Sequence, residues 1–190
     1  MRKPRADAQR NRDRIAEVAK AVFASKGSDA SLDEIARTAG VGAGTLYRHF
    51  PTREALVEEV YRKEVAQLAE AAISLSVTET PIEALRRWLK LFVSYVATKQ
   101  IIIGAIEPIL ANNPGLSEVS SRQIADAIVI LFDNAVTNGD IRADLHPFDL
   151  ARALMGVSRS GDPSWAVNAN QLVDILLAGL SQRESETPST

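Results

Sequence analysis

The chain has 190 residues, 46% of them apolar and 24% charged, with 10 Gly and 8 Pro, an ordinary globular mixture that excludes fibrous and disordered classes. The absence of cysteine excludes thiol catalysis, thiolate-bound zinc and disulfide staples, and two histidines, His49 and His146, leave little for a metal site, so neither cofactor nor metal is expected. The net charge of −2 divides unevenly: Met1 to Arg53 carries 11 Lys/Arg against 6 Asp/Glu and the remainder 11 against 18, so the first third is the part suited to a polyanion.

In chain order, Ile15, Val18, Ala19, Val22 and Phe23 recur at helical spacing and Gly27 supplies a stop, which gives a first helix. Ser31 and Glu34 form a capping box in front of Leu32, Ile35, Ala36 and Ala39, and Gly40 ends this second, two-turn helix. A third helix follows over Gly42 to Phe50, with Leu46 and Phe50 as a core pair and Pro51 as its close. Two short helices joined by a glycine turn and leaning on a longer first one predict a helix-turn-helix. Its third helix would turn Ala43, Gly44, Thr45, Tyr47 and Arg48, a small and polar face, toward a major groove. Thr52 caps a long fourth helix reaching about Leu75, and Thr80, Pro81 and Glu83 open a fifth with the stripe Ile82, Leu85, Trp88, Leu89, Phe92, Val93 and Val96.

The run Ile101 to Leu110 is too short to span a membrane and reads as a buried helix broken by Pro108. Asn113 and Pro114 restart the chain. A seventh helix carries Ile124, Ala127, Ile128, Leu131, Phe132, Ala135 and Val136 and stops at Asn138 and Gly139. Pro147 opens an eighth, broken by the polar stretch Arg159 to Ser164, and Asn168 or Asn170 caps a ninth. No strand pattern competes, so the expected fold is all-α, about nine helices. Domains are expected at 1–51 (helix-turn-helix, with 1–9 a flexible basic arm) and 52–181 (a helical bundle for ligand binding and dimerisation), with a disordered tail at 182–190. The start MRKPRADAQR is basic but polar and no apolar stretch approaches ~20 residues, so neither secretory signal nor membrane partner is expected, and a cytoplasmic location follows.

The stretch LDEIARTAGVGAGTLYRHFPTREALVEEV, with the helix before it, resembles the DNA-binding domain of the TetR family of bacterial one-component regulators. The match covers Arg12 to about Val60; the remainder matches only in layout. The resemblance implies that Thr45, Tyr47 and His49 contact the DNA backbone and that Ala43, Gly44 and Arg48 lie at or near base edges. Hydroxyl and imidazole donors suit phosphate oxygens, and Arg48 is able to pair bidentately with guanine. Taken alone, Tyr47 would equally fit packing against the first helix and His49 a core or cap position. Arg53 stands where the family usually has Lys and is assigned to a phosphate. Arg2, Lys3 and Arg5 suit either a minor-groove arm or a solvated tail. Asp33 and Glu34 depart from the family by placing two acids at the start of the second helix.

The implied partners are double-stranded operator DNA, a second copy of the chain and a small, largely apolar effector whose binding releases the DNA. Trp88, Phe92, Tyr95, Ile106, Phe132, Met155 and Trp165 are the candidate pocket walls, with plain core packing as the alternative for each, and Glu107 is either a polar anchor or a residue on a solvated edge. The ninth helix is apolar on nearly every side, so Leu150, Leu154, Val157, Leu172, Val173, Leu176, Leu177 and Leu180 are the candidate dimer interface. A repressor is the primary reading; a regulator without a sensor and an activator are the alternatives. The chain offers no phosphate loop, Cys nucleophile or carboxylate pair that would support an enzyme.

Overall fold

The computed structural model describes residues 4–159 and 164–181. Their regular structure is α1 Pro4–Lys26, a one-turn 3₁₀ segment Gly27–Asp29, α2 Leu32–Thr38, α3 Ala43–His49, α4 Arg53–Thr78, α5 Pro81–Ile101, α6 Ile103–Asn112, α7 Pro114–Thr137, α8 Pro147–Ser158 and α9 Trp165–Leu180. Extended pairing among the described residues is confined to one isolated antiparallel bridge, Ile141 with Ser181. The fold is all-α. Two compact units emerge: one runs to Val65 and takes in Thr98–Ser120, and the other comprises Ala66–Ala97 and the chain from Ser121 onward. The first unit therefore extends past position 51, into α4, and recruits α6. α1 begins at Pro4, inside the segment assigned to a flexible arm, while Arg2 and Lys3 lie outside the described residues.

In the first unit, local sequence sets the helix ends. Ser31 accepts the Glu34 N–H at 3.2 Å and Thr52 accepts the Ala55 N–H at 3.1 Å, each satisfying an amide that its helix leaves open. At the end of α2, the Val41 N–H reaches the Ala36 carbonyl at 3.0 Å and the Gly40 N–H reaches the Arg37 carbonyl at 3.1 Å. This is a Schellman stop, and Gly40 meets its left-handed requirement at φ +63°. The buried faces of α1, α2 and α3 then converge on Ile15, Phe23, Ile35, Leu46, Phe50 and Leu56, all at or below 1% exposed.

The second unit packs its α5 and α7 residues around Trp88, Leu85, Leu89, Ile128 and Leu131, with Leu154 of α8 and Val173 and Leu177 of α9 also buried. Trp88 is fully buried, and its indole N–H donates to the Leu68 carbonyl at 2.8 Å, the partner a buried indole needs. α7 ends in a second Schellman stop: Gly139 N–H to Val136 at 3.0 Å and Asp140 N–H to Ala135 at 3.0 Å. α8 has an unusual cap. The His146 Nδ1 accepts the Phe148 N–H at 3.3 Å while Asp149 accepts the His146 N–H at 3.3 Å, a capping box with imidazole in the place of a hydroxyl.

Three expectations need correction. The break near Ile101 falls at Ile102, and Pro108 lies inside α6, where it forgoes only the bond its missing N–H would have made to Gly104. That stretch is not wholly buried: α6 buries Ile106, while Ile101 and Ile103 are about 40% exposed, because a lone amphipathic helix covers one face. α7, by contrast, begins at Pro114, where Asn113 and Pro114 restart the chain, with the Asn113 side chain accepting the Leu116 N–H at 3.2 Å. α9 begins at Trp165 rather than at Asn168 or Asn170, because Trp165 and Ala169, one turn apart, are both buried and extend the apolar stripe backward. No single helix among the described residues is long and apolar enough to cross a membrane.

Candidate nucleic-acid interface

Two turns long, α3 hides Leu46 and leaves Ala43, Gly44, Tyr47 and Arg48 exposed, with Thr45 and His49 half-buried. A Cβ added at Gly44 would meet nothing within 4 Å, so the face is open at its N-terminal end. Arg48 engages no ion pair or side-chain hydrogen bond among the described residues; its five donors are left for an outside acceptor. Thr45, Tyr47, Arg48 and His49 thus share a short solvated helix with Ala43 and Gly44. Tyr47 is 45% exposed and so is not a core residue.

Arg53 stands apart from this group. Its guanidinium is turned inward: it donates to the carbonyl of Ala30 and, at 3.4 Å, to that of Gly27, and it lies 5.0 Å from the centre of the Phe23 ring. The side chain assigned to phosphate fastens the turn that enters α2. A rigid fork able to serve two carbonyls and a ring is what Arg has and Lys lacks.

The sequence reading missed a second clamp at the opposite end of the helix pair. Arg12 of α1 meets Glu59 of α4 bidentately, Nε to Oε1 at 3.1 Å and Nη2 to Oε2 at 2.6 Å, and its Nη1 donates to the His49 carbonyl at 3.0 Å. Its cation sits 4.5 Å from the Phe50 ring centre. Lys20 and Glu64 pair at 2.7 Å, with Glu64 only 8% exposed, and Lys63 reaches Asp13 at 3.0 Å and Glu17 at 3.7 Å. The Lys63 hydrogen bond holds the Asp13 carboxyl below the ordinary carboxylate range. Of the two acids at the head of α2, Glu34 is engaged by Lys26 at 2.6 Å and Asp33 is exposed. The only signal for these pairs was opposite charge on two amphipathic helices, which does not choose partners 40 to 50 residues apart.

The proposed pocket walls do not form one set. Trp88, Phe92, Tyr95, Phe132 and Trp165 are buried in the second unit, whereas Ile106 is core of the first. The Trp88 and Phe92 rings stack at 5.7 Å and Phe92 and Tyr95 lie 5.9 Å apart. Glu107 and Met155 are exposed; for Glu107 this is the solvated-edge reading. An open cleft of about 440 Å³ lies elsewhere, in the first unit, with Glu54 and Glu58 of α4 on one side and Gly104, Ala105, Pro108 and Ile109 of α6 on the other. Among the interface candidates, Leu150, Leu154, Val173, Leu177 and Leu180 are already at most 5% exposed within one chain, and Val157, Leu172 and Leu176 are half-buried. The exposed positions beside them are Ala153, Met155 and Gly156 of α8 and Val167, Ile175, Ala178 and Gly179 of α9.

A short polar helix held out by its hydrophobic side, set on a glycine turn and followed by a second helical unit, defines a helix-turn-helix transcriptional regulator. Residues 15–60 match the family described as bacterial regulatory proteins, tetR family, and residues 80–182 match the C-terminal domain of SbtR-like transcriptional regulators. The solved TetR transcriptional regulator SCO0520 of Streptomyces coelicolor is 41% identical, with a TM-score of 0.80 over 90% of this chain and 98% of that one. A TetR transcription regulatory protein of Mycobacterium vanbaalenii is 33% identical, with a TM-score of 0.75 over 94% and 99%. An HTH-type transcriptional regulator of Staphylococcus aureus (strain USA300) is 40% identical over 62 residues, 32% of this chain and 34% of its own length, so the chain spans about a third of the curated relatives it matches. The chain belongs to the TetR family of bacterial transcriptional regulators. Both matched families are families of transcriptional regulators.

Proposed function

We propose that the protein is a repressor that binds a palindromic operator as a homodimer and leaves it when a small, largely apolar effector occupies the second unit. The carrying observation is the solvated face of α3, with Arg48 unpartnered among the described residues between the exposed Tyr47 and the half-buried His49. Arg48 reads a guanine edge in the major groove, while Thr45, Tyr47 and His49 donate to phosphates and fix the register. Ala43 and Gly44 admit the close approach that a larger side chain would prevent.

Dimerisation is supported by the exposed apolar and small residues of α8 and α9, from Met155 and Gly156 to Val167 and Ile175, a surface that a twofold mate would cover. The effector site is supported by the apolar aromatic cluster of Trp88, Phe92 and Tyr95, in which the Trp88 N–H is already taken by the Leu68 carbonyl. An effector releases DNA only if it prefers one dimer geometry over the other, since equal affinity for both shifts nothing.

The test is selection of duplexes from a random library by the purified full chain at about 0.15 M salt, a physiological ionic strength, followed by anisotropy on the winning sequence. The expected winner is a palindrome with half-site centres about one helical turn apart. Enrichment of no sequence, in protein stripped of bound small molecules by unfolding and refolding, would reject the reading.

A further inference from the structure

We propose that Arg12 is a positioning residue for sequence recognition: pinned by Glu59, it holds the last turn of α3 in place and thereby aims Arg48. The inference rests on the reading of α3 as the DNA-contacting helix. α3 is poorly equipped to hold its own shape. It is seven residues long, below the length at which a helix persists by itself, and Gly44 weakens it further. Its C-terminal carbonyls have no partners within the helix, and the negative end of its dipole lies there.

Arg12 answers both deficits at once. Nη1 donates to the His49 carbonyl at 3.0 Å and the cation sits at the dipole's negative end. The same guanidinium is prevented from moving by the Glu59 fork at 3.1 and 2.6 Å and by the Phe50 ring at 4.5 Å. Phe50 is fully buried and caps α3 through its own N–H, bonded to Leu46 at 2.8 Å. Arg48 stands one residue before the held carbonyl, so the direction of its backbone is set by a residue 36 positions earlier that is not on the reading face. Lysine at this position has one nitrogen and no planar fork, and it is unable to serve Glu59 on two oxygens, His49 and the ring together.

The experiment compares Arg12→Lys with Lys63→Gln. The latter removes the ion pairs to Asp13 and Glu17 between the same two helices and touches nothing on α3. Each variant is melted, titrated with the duplex selected by the wild type and with a scrambled duplex of equal length, and mapped by amide hydrogen exchange. In Arg12→Lys the preference for the selected over the scrambled duplex is expected to fall about tenfold, within the range one bidentate base contact carries. Exchange over residues 46–50 is expected to accelerate while α7 to α9 are unchanged. Lys63→Gln is expected to lower the melting temperature and leave both the preference and the 46–50 exchange at wild-type values. If Arg12→Lys shows no cooperative melt, Glu59→Gln, which keeps the shape of the pair and removes its charge, reads the same split. Parallel weakening on both duplexes with 46–50 protection intact would reduce Arg12 to a stabilising residue and overturn the proposal. A wild type that prefers no duplex would remove the DNA-reading role, and the exchange data alone would then decide whether Arg12 orders α3.

Discussion

Arg48 and Arg53 lie five residues apart in one basic motif, and the fold gives them opposite duties. Arg48 projects from α3 with no internal partner among the described residues, whereas the Arg53 fork is turned onto the carbonyls of Ala30 and Gly27. The motif made the helix and its exposed face legible, since Leu46 and Phe50 had to be buried and the positions between them did not. It did not make Arg53 legible, because the acceptors lie more than twenty residues back and are backbone atoms that carry no sequence signal. Two predictions belong at this scale. Tyr47→Phe removes one hydroxyl donor worth about 1 kcal/mol. Affinity should therefore fall several-fold on every duplex alike, with dimer and melting temperature unchanged; anisotropy on selected and scrambled duplexes checks it. Gly44→Ala adds a Cβ into open space on a helix where Gly costs roughly 0.8–1 kcal/mol. The chain should melt higher by that amount, while its base preference shifts.

Helix boundaries followed local chemistry wherever the cap was local. Gly40, Thr52 and Gly139 each do what their residue types imply; Ser31 caps α2 through the Glu34 N–H, but the expected capping box is half made because the Glu34 carboxylate goes to Lys26. Boundaries set by packing were less legible: α9 starts a turn early because Trp165 has a buried place to go, and α6 passes through Pro108 because one lost hydrogen bond is tolerated in a ten-residue helix. The His146 cap was missed because imidazole is seldom an N-cap acceptor, although Pro147 and Asp149 marked the site. Between elements, α5 grips α9 through Asp174, which meets Arg86 at 2.6 Å and Lys90 at 2.9 Å. The Lys90 and Arg86 hydrogen bonds hold its carboxyl below the ordinary carboxylate range. A depressed folded value contributes stability above the unfolded value near pH 3.9 and loses it as pH falls through the folded one. Asp174→Asn should therefore melt below the wild type at neutral pH, and the two should converge at pH below about 3.9. A gap of constant size across a series of melts from pH 7 to pH 3 would contradict this.

For the molecule as a whole, the sequence made the all-α class and the helix-turn-helix plain and left the association surface obscure. A ninth helix apolar on most sides is the same string whether its neighbours belong to its own chain or to another. Five of the eight leucines and valines assigned to an interface are core within one chain, and the exposed apolar positions, Val167 and Ile175, are others. Ile175 is 66% exposed, so Ile175→Glu should leave the single chain folded, as exposed substitutions do within about 0.5 kcal/mol. In sedimentation it should give monomers that bind the selected duplex weakly; an intact dimer would place the interface elsewhere. The basic first third is also less available than its charge implies. Arg12, Lys20, Lys26 and Arg53 are engaged inside the chain, whereas Arg37 and Arg48 have no side-chain partner among the described residues. The separation of clamp from reading face also bears on how such a regulator diverges. Ala43, Gly44 and Arg48 hold nothing else in place, so a duplicated copy is free to exchange all three and acquire a new operator. Arg12, Glu59 and Arg53 are shared infrastructure, expected to persist through each change of address.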